Sequence, residues 1–158
     1  MSQMDEDSLE ILRSLQRNCK LPVTDISSKI GSPTSTIYAK IKRMETSRTI
    51  KNYKAVLDAK QLDRGTTAFI LASFAYRPPG VEEPLSQREI AAAVAQFPEV
   101  QEVHIITGDW DILIKVKAKD VEAVGQFVVD TIRTVKGIEK TLTCMVFDSV
   151  KETSDISI

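Results

Sequence analysis

Apolar positions fall into two regimes along this chain. Up to about residue 45 they recur three and four residues apart, the spacing that gathers one face of a helix. From residue 66 onward they come in dense runs broken by turn residues. In the first regime, Ile11, Leu12 and Leu15, with Leu9 beside them, predict a helix over residues 5–18. Asp5, Glu6 and Asp7 suit the positive end of its dipole, and Asn18-Cys19-Lys20 ends it. A second helix is expected from about Pro22 to Ile30, with Ile26 and Ile30 inward and Gly31 as its stop. A third follows almost at once. Ser32-Pro33 reads as its start, a hydroxyl able to cap and then a proline whose missing N–H costs nothing in the first turn. Ile37, Ile41 and Met44 stand at i, i+4 and i+7, a narrow apolar stripe.

After the third helix, Ile50 to Val56 reads as a strand with Ser47-Arg48-Thr49 as its turn, a wing or a linker strand. Leu57 to Gly65 is polar and reads as a hinge between two domains. The second regime then runs strand (Thr66–Arg77), loop (Pro78-Pro79-Gly80 to Pro84), helix (Gln87–Phe97, with Ile90, Val94 and Phe97 inward) and strand (Val100–Thr107). Gly108-Asp109 makes a tight turn into a strand from Trp110 to Ala118, a hairpin. Val121, Val124, Phe127, Val128, Ile132 and Val135 line one face of the next helix, Lys136-Gly137 closes it, and Ile138 to Asp148 is the last strand. The order βαββαβ is the ferredoxin-like unit. The fold class is therefore α+β, with a winged helix-turn-helix over residues 1–56, a linker over 57–65 and a ferredoxin-like domain over 66–158.

Helices cover only one face of such a sheet, yet its first and last strands are apolar on both. Phe69 and Leu71 stand against Ile70, Phe74 and Tyr76, and Leu142 and Val146 against Met145 and Phe147. An open antiparallel sheet shows water a polar face, so the second face is expected to be buried on another subunit, as a homodimer.

Charge changes the picture of the front half. The net charge of −1 hides +4 over residues 1–64 and −5 over residues 65–158. Lys40, Lys42, Arg43, Arg48, Lys51 and Lys54 have only Glu45 among them. Two short helices joined by a turn containing Gly are the helix-turn-helix arrangement, in which the second helix enters the major groove. Wound at about 100° per residue, the third helix turns Ser35, Ala39 and Lys42 away from its apolar stripe, with Tyr38 and Arg43 flanking. Thr34, Ser35, Tyr38 and Ala39 are the candidates for base edges of double-stranded DNA, and Lys40, Lys42, Arg43, Arg48 and Lys51 for phosphate. An ordinary amphipathic surface helix shows the same pattern; the preceding helix and turn favour recognition.

Other chemistry is thin. The chain holds one His and two distant cysteines, Cys19 and Cys144, so neither a structural metal site nor a disulfide framework is expected. There is no phosphate loop, no nucleophile–base arrangement and no metal cluster, so neither an enzyme nor a cofactor is expected. No apolar run approaches the roughly 20 residues of a membrane span, and residues 1–7 are polar and acidic, so a cytoplasmic protein without membrane contact is expected.

Taken together, these segments resemble the leucine-responsive/asparagine-operon regulator family (Lrp/AsnC). Asp5 to Leu15 is similar to its L-D-x-x-D-x-x-I-L-x-x-L opening, Asp25 to Gly31 to its E-L-A-x-x-V-G, and Ser35 to Glu45 to its S-T-V-x-x-R-I-x-R-L-E. Ile50-Lys51-Asn52-Tyr53 is similar to V-I-x-G-Y, and Thr107 to Asp111 to the T-G-x-Y-D turn. The chain departs from the pattern at Ser8, at the cap of the second helix (Pro22), at Pro33 and at Asn52. The resemblance implies a transcription regulator whose second domain binds a small effector, usually an amino acid, and whose dimers assemble further, commonly to octamers. It places effectors near the turn of Gly108, Asp109, Trp110 and Asp111. There, Gly108 admits backbone N–H groups to a carboxylate, Asp109 or Asp111 accepts an ammonium, and Trp110 walls the side chain, with Thr107 and His104 as further lining. A plain hairpin turn uses the same residues. The alternative function is an amino-acid-sensing module that regulates an enzyme by association without touching DNA.

Overall fold

The computed structural model describes residues 4–77 and 83–158. Most of the loop expected over residues 78–84 lies outside them. The chain divides into two compact units, one of residues up to Val56 with Lys151–Ile158, the other Leu57–Val150.

The first unit is three helices, α1 (Glu6–Arg17), α2 (Val23–Ile30) and α3 (Thr34–Thr46). Ile11, Ile26 and Ile37 are fully buried and Met44 nearly so, with Leu12, Leu15, Leu21, Ile30, Ile41 and Ile50 packed around them. Asp5 caps α1 by accepting the Ser8 N–H at 2.9 Å. Gly31 ends α2 at φ +77°, a left-handed conformation that only glycine adopts without cost, and so reverses the chain into α3. The cap of α2 is Pro22, as expected, whereas that of α3 is not Ser32. Pro22 and Pro33 themselves stand at the N-cap positions with no side-chain bond. Ser32 does not cap: its carbonyl accepts from Ser27 Oγ at 2.6 Å and its hydroxyl donates to Asp7 Oδ2 at 3.3 Å.

The strand expected over Ile50–Val56 is not formed. The Ile50 N–H closes a turn on the Met44 carbonyl at 3.0 Å, Arg48 adopts φ +57°, and residues 51–58 carry no regular structure. A strand needs a neighbour for its backbone groups, and the described residues of this unit supply none. The tail also differs from the expected division, which placed it in the second domain. Gln16 donates to the Ile156 carbonyl at 3.0 Å and accepts its N–H at 2.7 Å, and Arg13 Nε donates to the Ile158 carbonyl at 2.9 Å. Backbone groups of the tail find partners on α1.

The second unit is a four-stranded antiparallel sheet of β1 (Thr66–Phe74), β2 (Val100–Ile105), β3 (Ile112–Ala118) and β4 (Ile138–Met145), in the order β2-β3-β1-β4. Helices α4 (Gln87–Val94) and α5 (Val121–Gln126) join the strands, the second running on through a π-helical turn (Phe127–Thr131) and a 3₁₀ turn. Ala68, Ile70, Ala72, Ile112, Ile114 and Val116 form the sheet side of the core, against Ile90, Val94, Val124, Phe127, Val128 and Ile132. Val121, expected inward, is exposed, because it opens the helix directly after its cap, Asp120. The first and last strands in chain order are shorter than expected. A register shift at Ser73/Phe74 ends β1, leaving Tyr76 exposed, and β4 ends at Met145, leaving Phe147 fully exposed. On the face away from the core, Leu71 lies between Leu113 and Leu142, and Phe69 between Lys115 and Cys144.

Candidate nucleic-acid interface and ligand site

Burying Ile37, Ile41 and Met44 determines which side of α3 meets solvent. Thr34, Ser35, Thr36, Tyr38, Ala39, Lys42 and Arg43 are all exposed there, Tyr38 by 63%. Lys42 has a single loose ion pair, with Glu45 at 3.8 Å, and keeps 80% of its side chain in solvent. Arg48 and Lys51 are exposed just beyond the helix. Tyr53, whose hydroxyl donates to Glu45 at 3.1 Å, holds that segment against α3; desolvation and the Glu45 carboxylate raise its pKa.

Lys40 differs from the other cations. Its ammonium lies 2.6 Å from Asp5 Oδ1 and 3.7 Å from Asp7 Oδ2, with only 18% of the side chain exposed. Asp5 is held down to about 2, first by this bond and then by the Ser8 N–H. Arg43 touches the same carboxylate at 3.7 Å but is 68% exposed. Lys29 pairs with Glu10, which Arg13 also meets at 3.3 Å. Cations scattered through the sequence thus divide into those that bind helices together and those that face water.

In the second unit the β2–β3 turn presents Thr107, Gly108 and Asp109 to solvent, with Trp110 and Asp111 half-buried. Gly108 sits at φ +128°, so the turn depends on glycine. Asp111 is tied on every side. Its N–H donates to the Ala72 carbonyl at 3.0 Å, its carbonyl accepts from Ile106 N–H at 2.9 Å and from Gln87 Nε2 at 3.1 Å, and its Oδ2 accepts the Phe74 N–H at 3.0 Å. That last bond catches the backbone at the β1 register shift. His104 does not gather with the turn. It faces Leu113 across the ladder, its Nε2 lies 3.2 Å from Glu102, and it rims a shallow groove of about 410 Å³ lined by Ala91, Ala92, Ala95, Val103 and Ile105. Glu102, bridged by His104 and by Lys115 at 3.1 Å, is held below the usual carboxylate range. Gln87 is a turn-supporting residue that no motif signals: its contact crosses 24 positions of sequence.

A three-helix unit offering α3 outward, joined to a four-stranded sheet with helices on one face, defines the class of two-domain helix-turn-helix proteins. Residues 4–45 match the model of the AsnC-type helix-turn-helix domain and residues 81–156 that of the Lrp/AsnC ligand binding domain. The chain is 38% identical over 149 residues to an uncharacterized HTH-type transcriptional regulator of Pyrococcus abyssi, covering 94% of this chain and 96% of that one. It is 32% identical over 155 residues to the HTH-type transcriptional regulator FL11 of Pyrococcus horikoshii, covering 98% and 97%. Its fold matches the crystal structure of a Neisseria meningitidis transcriptional regulator in complex with L-Met at a TM-score of 0.88, with 26% identity over 98% of this chain and 97% of that one. The chain belongs to the Lrp/AsnC family, whose members named here are transcriptional regulators and not enzymes. Among the described residues no helix is long and apolar enough to cross a membrane.

Proposed function

We propose that this regulator binds double-stranded DNA through α3 as a homodimer and responds to an amino acid at the β2–β3 turn. The observation that carries the DNA reading is the outward face of α3, where short side chains and Tyr38 lie beside Lys42 and Arg43, each on one loose ion pair and mostly in solvent. Thr34, Ser35, Tyr38 and Ala39 read base edges; Lys42, Arg43, Arg48 and Lys51 meet phosphate, while Lys40 is held by Asp5 and Asp7. The apolar row Leu113, Leu71, Leu142, with Phe69 beside it, supports dimerisation through the open sheet face, which would present two α3 helices to a two-fold operator. Further assembly, to an octamer, is the family's habit.

The effector reading is supported by the exposed turn and by the L-Met complex of the Neisseria relative. Backbone N–H groups around Gly108 receive the carboxylate, Asp109 the ammonium, and Trp110 with Thr107 flanks the side chain; His104 lies further along β2 and Asp111 mainly builds the turn. Thermal unfolding against each of the twenty amino acids tests it. A ligand at a hundredfold excess over Kd adds about 2.7 kcal/mol to native-state stability. One or two amino acids are expected to raise the melting temperature, with the rise lost in Asp109→Asn. No rise with any of them would overturn the effector reading. Failure to shift any duplex at low salt would favour the sensing module that acts by protein association.

A further inference from the structure

Three groups of the α2–α3 segment converge on the first turn of α1. Lys40 Nζ lies 2.6 Å from Asp5 Oδ1 and 3.7 Å from Asp7 Oδ2, Arg43 Nη2 lies 3.7 Å from Asp5 Oδ2, and the Ser32 hydroxyl donates to Asp7 Oδ2 at 3.3 Å. The Asp5 carboxylate therefore does two jobs, since it also caps α1 through the Ser8 N–H. To Lys40 and Arg43 these carboxylates offer what a DNA phosphate offers: anionic oxygens within reach of a charge-assisted hydrogen bond. Lys40, largely covered, is committed to them. Arg43, on a longer contact and mostly in solvent, is shared between them and whatever approaches α3.

We infer that Asp5 and Asp7 are internal competitors of DNA phosphate, limiting how many phosphates the recognition helix neutralises and so how tightly the protein holds DNA of any sequence. This rests on α3 being the DNA-contacting helix. Each phosphate neutralised steepens the dependence of log K on log salt by about 0.9, whatever the sequence. A cation withheld by Asp5 is subtracted from that slope, while contacts to base edges are untouched. The two acids thus lower the background against which base readout is heard, without touching DNA themselves.

The test is binding of the full chain to a random-sequence duplex as a function of salt. Asp5→Asn keeps a good N-cap residue on α1 and removes the competing charge. It is expected to steepen the slope by about 0.9 and to tighten binding about tenfold at 50 mM salt, the gain of one added phosphate contact. Lys40→Gln is expected to leave the wild-type slope unchanged, and Lys42→Ala to flatten it by about 0.9. The double variant Asp5→Asn/Lys40→Gln should fall back toward the wild-type slope, a reversal that damage to α1 would not produce. A Lys40→Gln slope as flat as that of Lys42→Ala, or an Asp5→Asn slope no steeper than wild type, overturns the inference while leaving α3 as the DNA-binding helix. No binding by the wild type at low salt overturns both.

Discussion

Asp111 shows how one side chain can be read two ways. Its spacing after Gly108 invites a role in holding an ammonium group, and its surroundings give it a structural one. Its Oδ2 takes the Phe74 N–H at 3.0 Å where β1 changes register, while its backbone is bonded to Ala72, Ile106 and Gln87. Removing a half-buried acceptor leaves that N–H unpaired, which costs roughly 1–2 kcal/mol. Asp111→Ala is therefore expected to lower stability by about that amount in urea denaturation, with Asp111→Asn, which keeps an acceptor oxygen, close to wild type. Undiminished stability in Asp111→Ala, together with lost amino-acid binding, would return the carboxylate to the ligand. Asp109 is the cleaner ligand candidate because it is exposed in the turn.

Between elements, the helices of the first unit are joined by more than their small core. Asp5 ties α1 to Lys40 and Arg43 of α3, and Glu10 ties it to Lys29 of α2. Both carboxyls are held below their ordinary values, Asp5 at about 2 by Lys40 and then Ser8, Glu10 by Lys29 and then Arg13. A depressed carboxyl stabilises the fold fully above its unfolded pKa, and that contribution disappears as pH falls through the folded value. The melting temperature of the first unit is accordingly expected to fall from about pH 4 down to pH 2. In melts followed by circular dichroism, Asp5→Asn should show a shallower fall. These pairings also explain a limit of sequence reading. The apolar stripe of α3 was legible because period 3.6 is local, and so was the exposure of Ser35, Tyr38 and Lys42. Lys40 lies near the stripe's edge, and only the placing of α1 beside α3 decides whether it faces phosphate or Asp5, 35 residues away.

For the molecule as a whole, the telling feature is the sheet face opposite the helices. Leu71, Leu113 and Leu142 form one row across three strands, and Leu142 is 46% exposed. A row of this kind exceeds the scattered apolar residues that any surface carries, and the dimer reading assigns it a second copy. Leu142→Asp is expected to yield monomers by light scattering, with unchanged circular dichroism. An unchanged mass would remove this face from the assembly.

Element order and the HTH-plus-ferredoxin-like plan follow from the sequence alone, because helix period, strand alternation and glycine turns are properties of neighbouring residues. The helical core is equally legible: Ile11, Ile26, Ile37 and Ile132 are buried because their spacing leaves them no other side, whereas β1 is apolar on both faces and only the packing of the helices makes Ile70's face the inner one. What depends on partners distant in the chain was not legible. The segment from Ile50 to Val56 has strand-like composition, but among the described residues no strand pairs with it, so its backbone forms no ladder. Pro33 takes the cap position that a hydroxyl would otherwise fill, and Ser32 turns to Asp7. Which cations stay available for DNA was likewise decided by tertiary structure, since a charge is spent or free according to what packs within about 4 Å of it.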